Sequence, residues 1–255
     1  MTAYLLGQDL DLSTVTVSGT GFTASGPFAK GVDGRLSTKA VLNTSSSTAS
    51  INLDFGSGNT FTANAIGLAG HNVLTVQLQG SDDGSSYTNV AEGGFMAGGT
   101  HLFAGTAATH RYWRINFING TGSHEFAHLS IGEAITGKPI GDGFAPLLFK
   151  HYKTMNKLNR NGEYLGSVAR RIPQAVRFKQ QGISETDMRN IWAPFLEYAS
   201  RRPFFFVPQL ETYQNEAAFC WSEDAQNAVY RGLCKMAVDF SVQGVGGRRL
   251  QQAQA

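Results

Sequence analysis

At 255 residues the chain is long enough to bury two ordinary cores, and Cys220 and Cys234 are too few for a disulfide framework, so both read as buried thiols. No run approaches the roughly 20 apolar residues of a membrane-spanning helix, and the start shows no basic region followed by an apolar core; the expectation is a protein made in a cytosol with no membrane insertion. The net charge of +2 hides a step: residues 1–137 hold five Lys and Arg against nine Asp and Glu, a net of −4, whereas residues 138–255 hold sixteen against ten, a net of +6.

Short alternating runs separated by Gly, Ser, Thr and Asn fill residues 1–135, the pattern of an antiparallel sandwich. The candidate strands are Thr14–Ser18, Ser50–Phe55, Ala63–Ala69, Val73–Gly80 and Arg111–Phe117. Within the fourth, Leu74, Val76 and Leu78 share one face and Thr75, Gln77 and Gln79 the other, so one face is core and the other wet. In the fifth, Trp113, Ile115 and Phe117 fall together and read as core. Asp82-Asp83-Gly84-Ser85-Ser86 supplies turn chemistry between strands.

His124-Glu125-Phe126-Ala127-His128 matches the His-Glu-x-x-His pattern in which two histidines one helical turn apart hold zinc. That chemistry needs a helix. The preceding Asn119-Gly120-Thr121-Gly122 is turn-rich and the following residues alternate like a strand, so a zinc hydrolase using His124, Glu125 and His128 is rejected. There is no Gly-x-Ser-x-Gly elbow, no phosphate loop and no cysteine pair at metal spacing, and the reading is of a protein that is not an enzyme and has no cofactor.

Thr136-Gly137-Lys138-Pro139-Ile140-Gly141-Asp142-Gly143 spans the compositional step, and a linker is placed at 138–143. Beyond it, Leu147–Met155 and Tyr164–Lys179 read as long basic strands. One helix follows, with Ser184 as N-cap, Asp187 in its first turn, an Ile183–Met188 staple and an apolar stripe of Met188, Ile191, Trp192, Phe195 and Leu196. Pro194 is expected to kink it. Phe204–Val207, Glu216–Trp221, Asn227–Arg231 and Cys234–Gln243 complete the strands, and residues 247–255 read as a flexible tail.

Two resemblances follow from these residues. Asp33-Gly34, Ile51-Asn52-Leu53-Asp54-Phe55-Gly56, Val76 through Tyr87 and Arg111-Tyr112-Trp113-Arg114-Ile115-Asn116-Phe117, in that order, resemble the galactose-binding-like jelly roll of discoidin and coagulation-factor C-type domains. The order of strands, one helix opening Ser-x-x-Asp and the strand Arg201-Arg202-Pro203-Phe204-Phe205-Phe206-Val207-Pro208 resembles the tube-type domain of distal tail and minor tail proteins of long-tailed bacteriophages. The expected architecture is therefore mainly β: a jelly-roll sandwich over 1–137 and a tail-tube-like sheet with one flanking helix over 144–246.

The first resemblance implies that Asp33, Asp82, Asp83, Tyr87 and His101, placed in loops, bind a ligand such as a host-surface glycan. The second implies a homo-oligomeric ring in a virion tail, assembled in the host cytoplasm, with tail tube, tape measure and tail hub as partners and DNA only in transit. Lys150, Lys153, Arg170, Arg171, Arg177 and Lys179 lie on strands too polar for a core and are assigned to the assembly interface. A soluble carbohydrate-binding module with a docking domain is the alternative.

Overall fold

Period-two alternation produces strands nearly everywhere in the first half, and they close as a sandwich of five strands on three. The computed structural model describes residues 3–7, 14–19, 27–43, 46–94, 99–118, 123–137, 152–211, 216–222, 228–230 and 235–246. The larger sheet runs β2 (Thr16–Gly19), β4 (Thr48–Asp54), β9 (Tyr112–Ile118), β6 (Thr75–Ser81), β7 (Thr88–Gly94). The smaller runs β11 (His128–Gly132), β5 (Phe61–Ala69), β8 (Thr100–His110), and β10 (Ser123–Phe126) pairs β3 (Ala40–Asn43) at the side. Every pairing is antiparallel.

Alternation decides what fills this sandwich. Trp113, Ile115 and Phe117 are all buried, as expected, and pack with Ile51, Leu53, Val76 and Leu78 from the same sheet and Ile66, Leu68 and Leu129 from the other. The Trp113 indole N–H is satisfied inside the core by the carbonyls of His110, at 3.1 Å, and Phe61, at 3.2 Å. Leu74 departs from expectation: it precedes β6 and lies 42% exposed.

The second sheet has seven strands, in the order β12 (Ile135–Gly137), β1 (Ala3–Leu6), β16 (Phe204–Val207), β17 (Ala218–Ser222), β19 (Lys235–Gly246), β15 (Gln174–Ser184), with β18 (Ala228–Tyr230) also paired to β19. A division of the chain at 137/138 therefore does not follow the sheets. Tyr4 pairs with Thr136 on one side and Val207 on the other, so β1 and β12, both from the first half, are strands of the second sheet. Residues 138–143 and 247–255, read as linker and tail, lie outside the described residues.

Four successive phenylalanine and valine positions in β16 are buried because both faces of this sheet are covered. Phe204 and Phe206 point to one side, where they meet Met188, Trp192, Phe195, Leu196 and Ala199 of the helix. Phe205 and Val207 point to the other side, where they meet Ala65, Ala69 and Leu102 of the small jelly-roll sheet. The molecule is thus layered as five strands, three strands, seven strands and a helix. The three-stranded sheet is buried on both faces along β11, the second half of β5 and the start of β8.

Small residues make that close stacking possible. On β5, Ala65, Gly67 and Ala69 face the second sheet while Ile66 and Leu68 face the jelly-roll core. A methyl group at Gly67 would sit 2.4 Å from the Phe205 ring, so the ring occupies the space that only glycine leaves.

The helix begins where expected: Ser184 Oγ accepts a hydrogen bond from the Asp187 amide at 3.0 Å. The Pro194 kink takes the form of a π turn. An α-helical turn at Glu185–Asp187 runs into a π-helical stretch at Met188–Trp192 and then an α-helical segment at Ala193–Ala199, with Ala193 N–H donating to the Met188 carbonyl one residue beyond the α-helical partner. The wider turn accommodates a residue that cannot donate its own amide.

One pair of strands stands apart. Among the described residues β13 (Tyr152–Leu158) and β14 (Tyr164–Arg171) pair only with each other, and every residue of β13 is exposed. The expected continuous strand Tyr164–Lys179 is broken at Ile172-Pro173, where Pro173 cannot donate a ladder bond, into β14 and β15. The seven-stranded sheet curls until Gly137 at one edge comes against the Gln180 side chain at the other.

Candidate binding surfaces

The strand order puts two loop clusters at opposite ends of the jelly roll. Phe61 lies opposite His110 and Ser81 opposite Tyr112, so the 55–60 loop, the 81–87 hairpin and residues 110–112 share one end. Ala69 lies opposite both Thr100 and His128, which places residues 70–73, 99–101 and 127–128 at the other.

Three of the five expected ligand residues come together at the first end. Asp83 is the turn's own scaffold: its Oδ1 accepts from Ser81 Oγ at 2.9 Å and from the Ser85 and Ser86 amides at 2.8 Å, and these bonds hold its carboxyl far below the usual carboxylate range. Gly84, at φ 72°, makes the turn possible. Asp82 reaches outward and meets His110 Nδ1 at 2.8 Å. The Tyr87 ring lies under the Arg114 guanidinium, 3.7 Å from its centroid, and Arg114 Nε donates to Asn52 Oδ1 at 2.9 Å.

Arg111 completes this end, its guanidinium gripping Asp54 through two bonds of 2.8 and 3.0 Å and holding that carboxyl below its ordinary value. Sequence reasoning placed Arg111 and Arg114 on a strand and left out His110. The clue was present in the run His110-Arg111-Tyr112-Trp113-Arg114, where the inward Trp113 leaves its neighbours Tyr112 and Arg114 on the outer face.

The other two expected residues are elsewhere. Asp33 sits in a loop at the opposite end, its carboxylate accepting from the Arg35 amide at 2.8 Å and Thr38 Oγ1 at 2.7 Å, beside a glycine that abuts Pro203. His101, expected in a loop, is on β8 and only 4% exposed. Its Nδ1 lies 2.9 Å from His71 Nε2, and His71 Nδ1 lies 3.1 Å from the Val73 carbonyl. A carbonyl only accepts, so His71 carries its proton on Nδ1 and takes the His101 Nδ1–H on Nε2; both rings are neutral. Burial pushes them down to about 4 for His71 and about 3 for His101.

The His-Glu-x-x-His residues lie on strands. His124 is buried and Glu125, on the opposite face of β10, binds Lys39 at 2.8 Å. His128, on β11, is stacked against Phe205 and lies tilted against Phe219 of the second sheet. A strand sends Glu125 away from both histidines, so the three cannot act as a helical zinc site does.

Of the expected assembly residues, Lys153 and Arg170 are directly opposite each other on the β13–β14 arm, and both are exposed. Like charges in that relation repel. Arg171 closes the arm opposite Tyr152. Arg177 and Lys179 are on β15, and Lys179 is exposed. Lys150 lies outside the described residues. The arm also exposes Tyr152, Met155, Leu158, Tyr164, Leu165 and Val168, each more than half accessible.

No protein-family model and no curated protein sequence matches the chain. Solved structures resemble about half of the chain. The family 32 carbohydrate-binding module of NanJ from Clostridium perfringens, in complex with galactose, is 19% identical, covers 50% of this chain and 98% of its own, and superposes with a TM-score of 0.40. CpGH89CBM32-5 from the same organism, in complex with GalNAc-β-1,3-galactose, is 15% identical over 47% of this chain and 96% of its own, with a TM-score of 0.38. The C-terminal domain of a chitobiase from Bacteroides fragilis is 17% identical over 51% and 99%, with a TM-score of 0.40. Identities and scores this low leave the sugars of those modules as properties of those modules. The chain itself is a mostly-β protein, an antiparallel sandwich of five strands on three stacked on a helix-flanked sheet.

Proposed function

We propose that the protein is a non-catalytic assembly subunit, a structural component of a phage tail tip or baseplate, whose seven-stranded sheet and arm build a homo-oligomeric ring while the jelly roll presents its loop end outward. None of the structures named above is a tail protein, and the reading rests on the arm. An isolated two-stranded hairpin is marginal in water, and this one also places six large apolar side chains in solvent. Such a hairpin is built to be covered by another chain. Because the sheet curls its own edges toward each other, the arm is the stronger candidate for contact between copies than the edge strands.

Light scattering after size exclusion tests this reading. The full chain is expected to form a concentration-dependent oligomer, and deletion of Tyr152–Arg171 with a Gly-Ser bridge is expected to leave a folded monomer. A strict monomer at every concentration, with and without the arm, overturns the ring.

A second reading, that the jelly roll is a carbohydrate-binding module, is favoured by the cluster of Asp82, His110, Tyr87 and Arg114 at one loop end. Rigid polar groups around an aromatic ring suit a sugar's hydroxyls and apolar face. Calorimetric titration with galactose and chitosan oligosaccharides tests it: binding that is lost in Tyr87→Ala supports the module, and no heat with any sugar removes this site as its basis.

A further inference from the structure

A cleft of about 690 Å³ lies between the flanking helix and the β12 edge of the seven-stranded sheet. Its floor is Trp192 and Phe195, both nearly inaccessible, and its rim carries the exposed side chains of Ile191 and Pro194. Two carboxylates, Glu133 and Asp187, line it, and among the described residues no Lys, Arg or His does. Both are exposed on the rim.

The arm has the opposite character. Residues 152–171 hold five cations, Lys153, Lys157, Arg160, Arg170 and Arg171, against Glu163 alone. Alternation and register put Lys153, Met155 and Lys157 on one face with Arg170 and Val168 directly across. That face is an apolar pair flanked by cations, and its Lys153–Arg170 pair costs stability until an anion stands beside it. The cleft offers an apolar rim flanked by carboxylates. We infer that the cleft between the helix and β12 receives the β13–β14 arm of a second copy, with Met155 and Val168 against Ile191 and Pro194 and the arm's cations beside Glu133 and Asp187.

This inference rests on the ring reading and adds the acceptor. It also assigns a role to the asymmetry of the chain's charge: the basic excess is carried where it meets carboxylates of a neighbour, which sets the direction in which copies add. Where each arm enters the cleft of the next copy the contact is head-to-tail, and such contacts form a ring when the rotation between neighbours closes.

The test is a charge-reversal cycle on the full chain, read by sedimentation velocity at low salt. Lys153→Glu with Arg170→Glu is expected to weaken association at least about tenfold, and Glu133→Lys with Asp187→Lys to do the same. The four changes together are expected to restore it to within about threefold, since each charge again faces its opposite. All four positions are exposed, so circular dichroism should report unchanged folding in every variant. Val168→Cys with Ile191→Cys, in a Cys234→Ser background, should then give disulfide-linked ladders on non-reducing gels. If the arm variant weakens assembly while the cleft variant assembles normally, the arm docks elsewhere: the inference fails and the ring stands. If the native chain never assembles, both fail. If each reversal weakens assembly and the combination does not recover, the two surfaces are not partners and the inference is overturned.

Discussion

The His128 ring lies 5.7 Å from the Phe205 ring at 22° between planes, one on the jelly roll and the other on the seven-stranded sheet, and this stacked pair marks where the two halves become one body. Phe219 closes on the same imidazole from 5.0 Å. Asp33 and Arg202 are the charged groups near enough to act on it, and they act in opposite directions. Burial dominates and pushes His128 down to about 4, so the interface is built around a neutral ring.

Removing the phenylalanine should cost the most. Phe205 is fully buried and Phe205→Ala deletes it from both the stack and the apolar layer; a loss of about 3–5 kcal/mol is expected by urea unfolding. Limited proteolysis should now cut between the halves. A loss under about 1 kcal/mol would mean the layers do not depend on this contact.

Adding one carbon should also be felt. Gly67→Ala places its methyl 2.4 Å from the fully buried Phe205 ring. About 1–3 kcal/mol of destabilisation is expected by thermal or chemical unfolding, with the far-UV spectrum unchanged. Gly58, where an added carbon meets nothing within 4 Å, is at φ 80° and makes a poor control for space alone; Ser57→Ala on the same loop is the better one.

Acid should loosen the fold well above the carboxylate range. His71, His101 and His128 have folded values of about 4, 3 and 4, against about 6.5 when unfolded. The unfolded chain therefore binds more protons between these limits, and stability present at neutral pH is lost as pH falls from about 6.5 toward 4. Each histidine contributes a slope of about 1.4 kcal/mol per pH unit within that window. Melting temperature measured from pH 7.5 to 4.5 should fall steeply, and His128→Phe should flatten the curve. A flat native profile across that range would refute the neutral buried rings.

Below about pH 4 a different group takes over. Arg111 holds Asp54 below its ordinary value, so this pair's stabilisation is present above the unfolded carboxylate value and is lost as pH falls through the folded one. Its side chains are each about one-third accessible, and solvent screening keeps its worth to about 1 kcal/mol or less. A double-mutant cycle with Asp54→Asn and Arg111→Gln measures that coupling, and a value indistinguishable from zero would leave the pair a surface ornament.

Much of the fold was legible because periodicity is a local signal. Trp113, Ile115 and Phe117 needed only alternation to be assigned inward, and Ser184 needed only its place before an apolar stripe to be assigned as a cap. Strands β7 and β8 were missed for the converse reason: Thr88–Gly94 and Thr100–His110 are rich in Gly, Ala and Thr and carry no strong apolar alternation. Their strand state is imposed by pairing with β6 and β5. His101 was misplaced with them, because a histidine near a glycine pair reads as loop until a partner such as His71 is known.

What the sequence alone determined is the list of strands with strong alternation, the single capped helix, the charge step and the strand character of the His124–His128 segment, all carried by neighbours within a few residues. Only the tertiary structure decided that β1 and β12 belong with the second sheet, that both faces of the three-stranded sheet are buried, and that an arm is left outside. Those outcomes depend on which distant surfaces pack together, and a residue such as Ala65 or Gly67 reveals what it faces only when the opposing layer, with Phe205 in it, is in place.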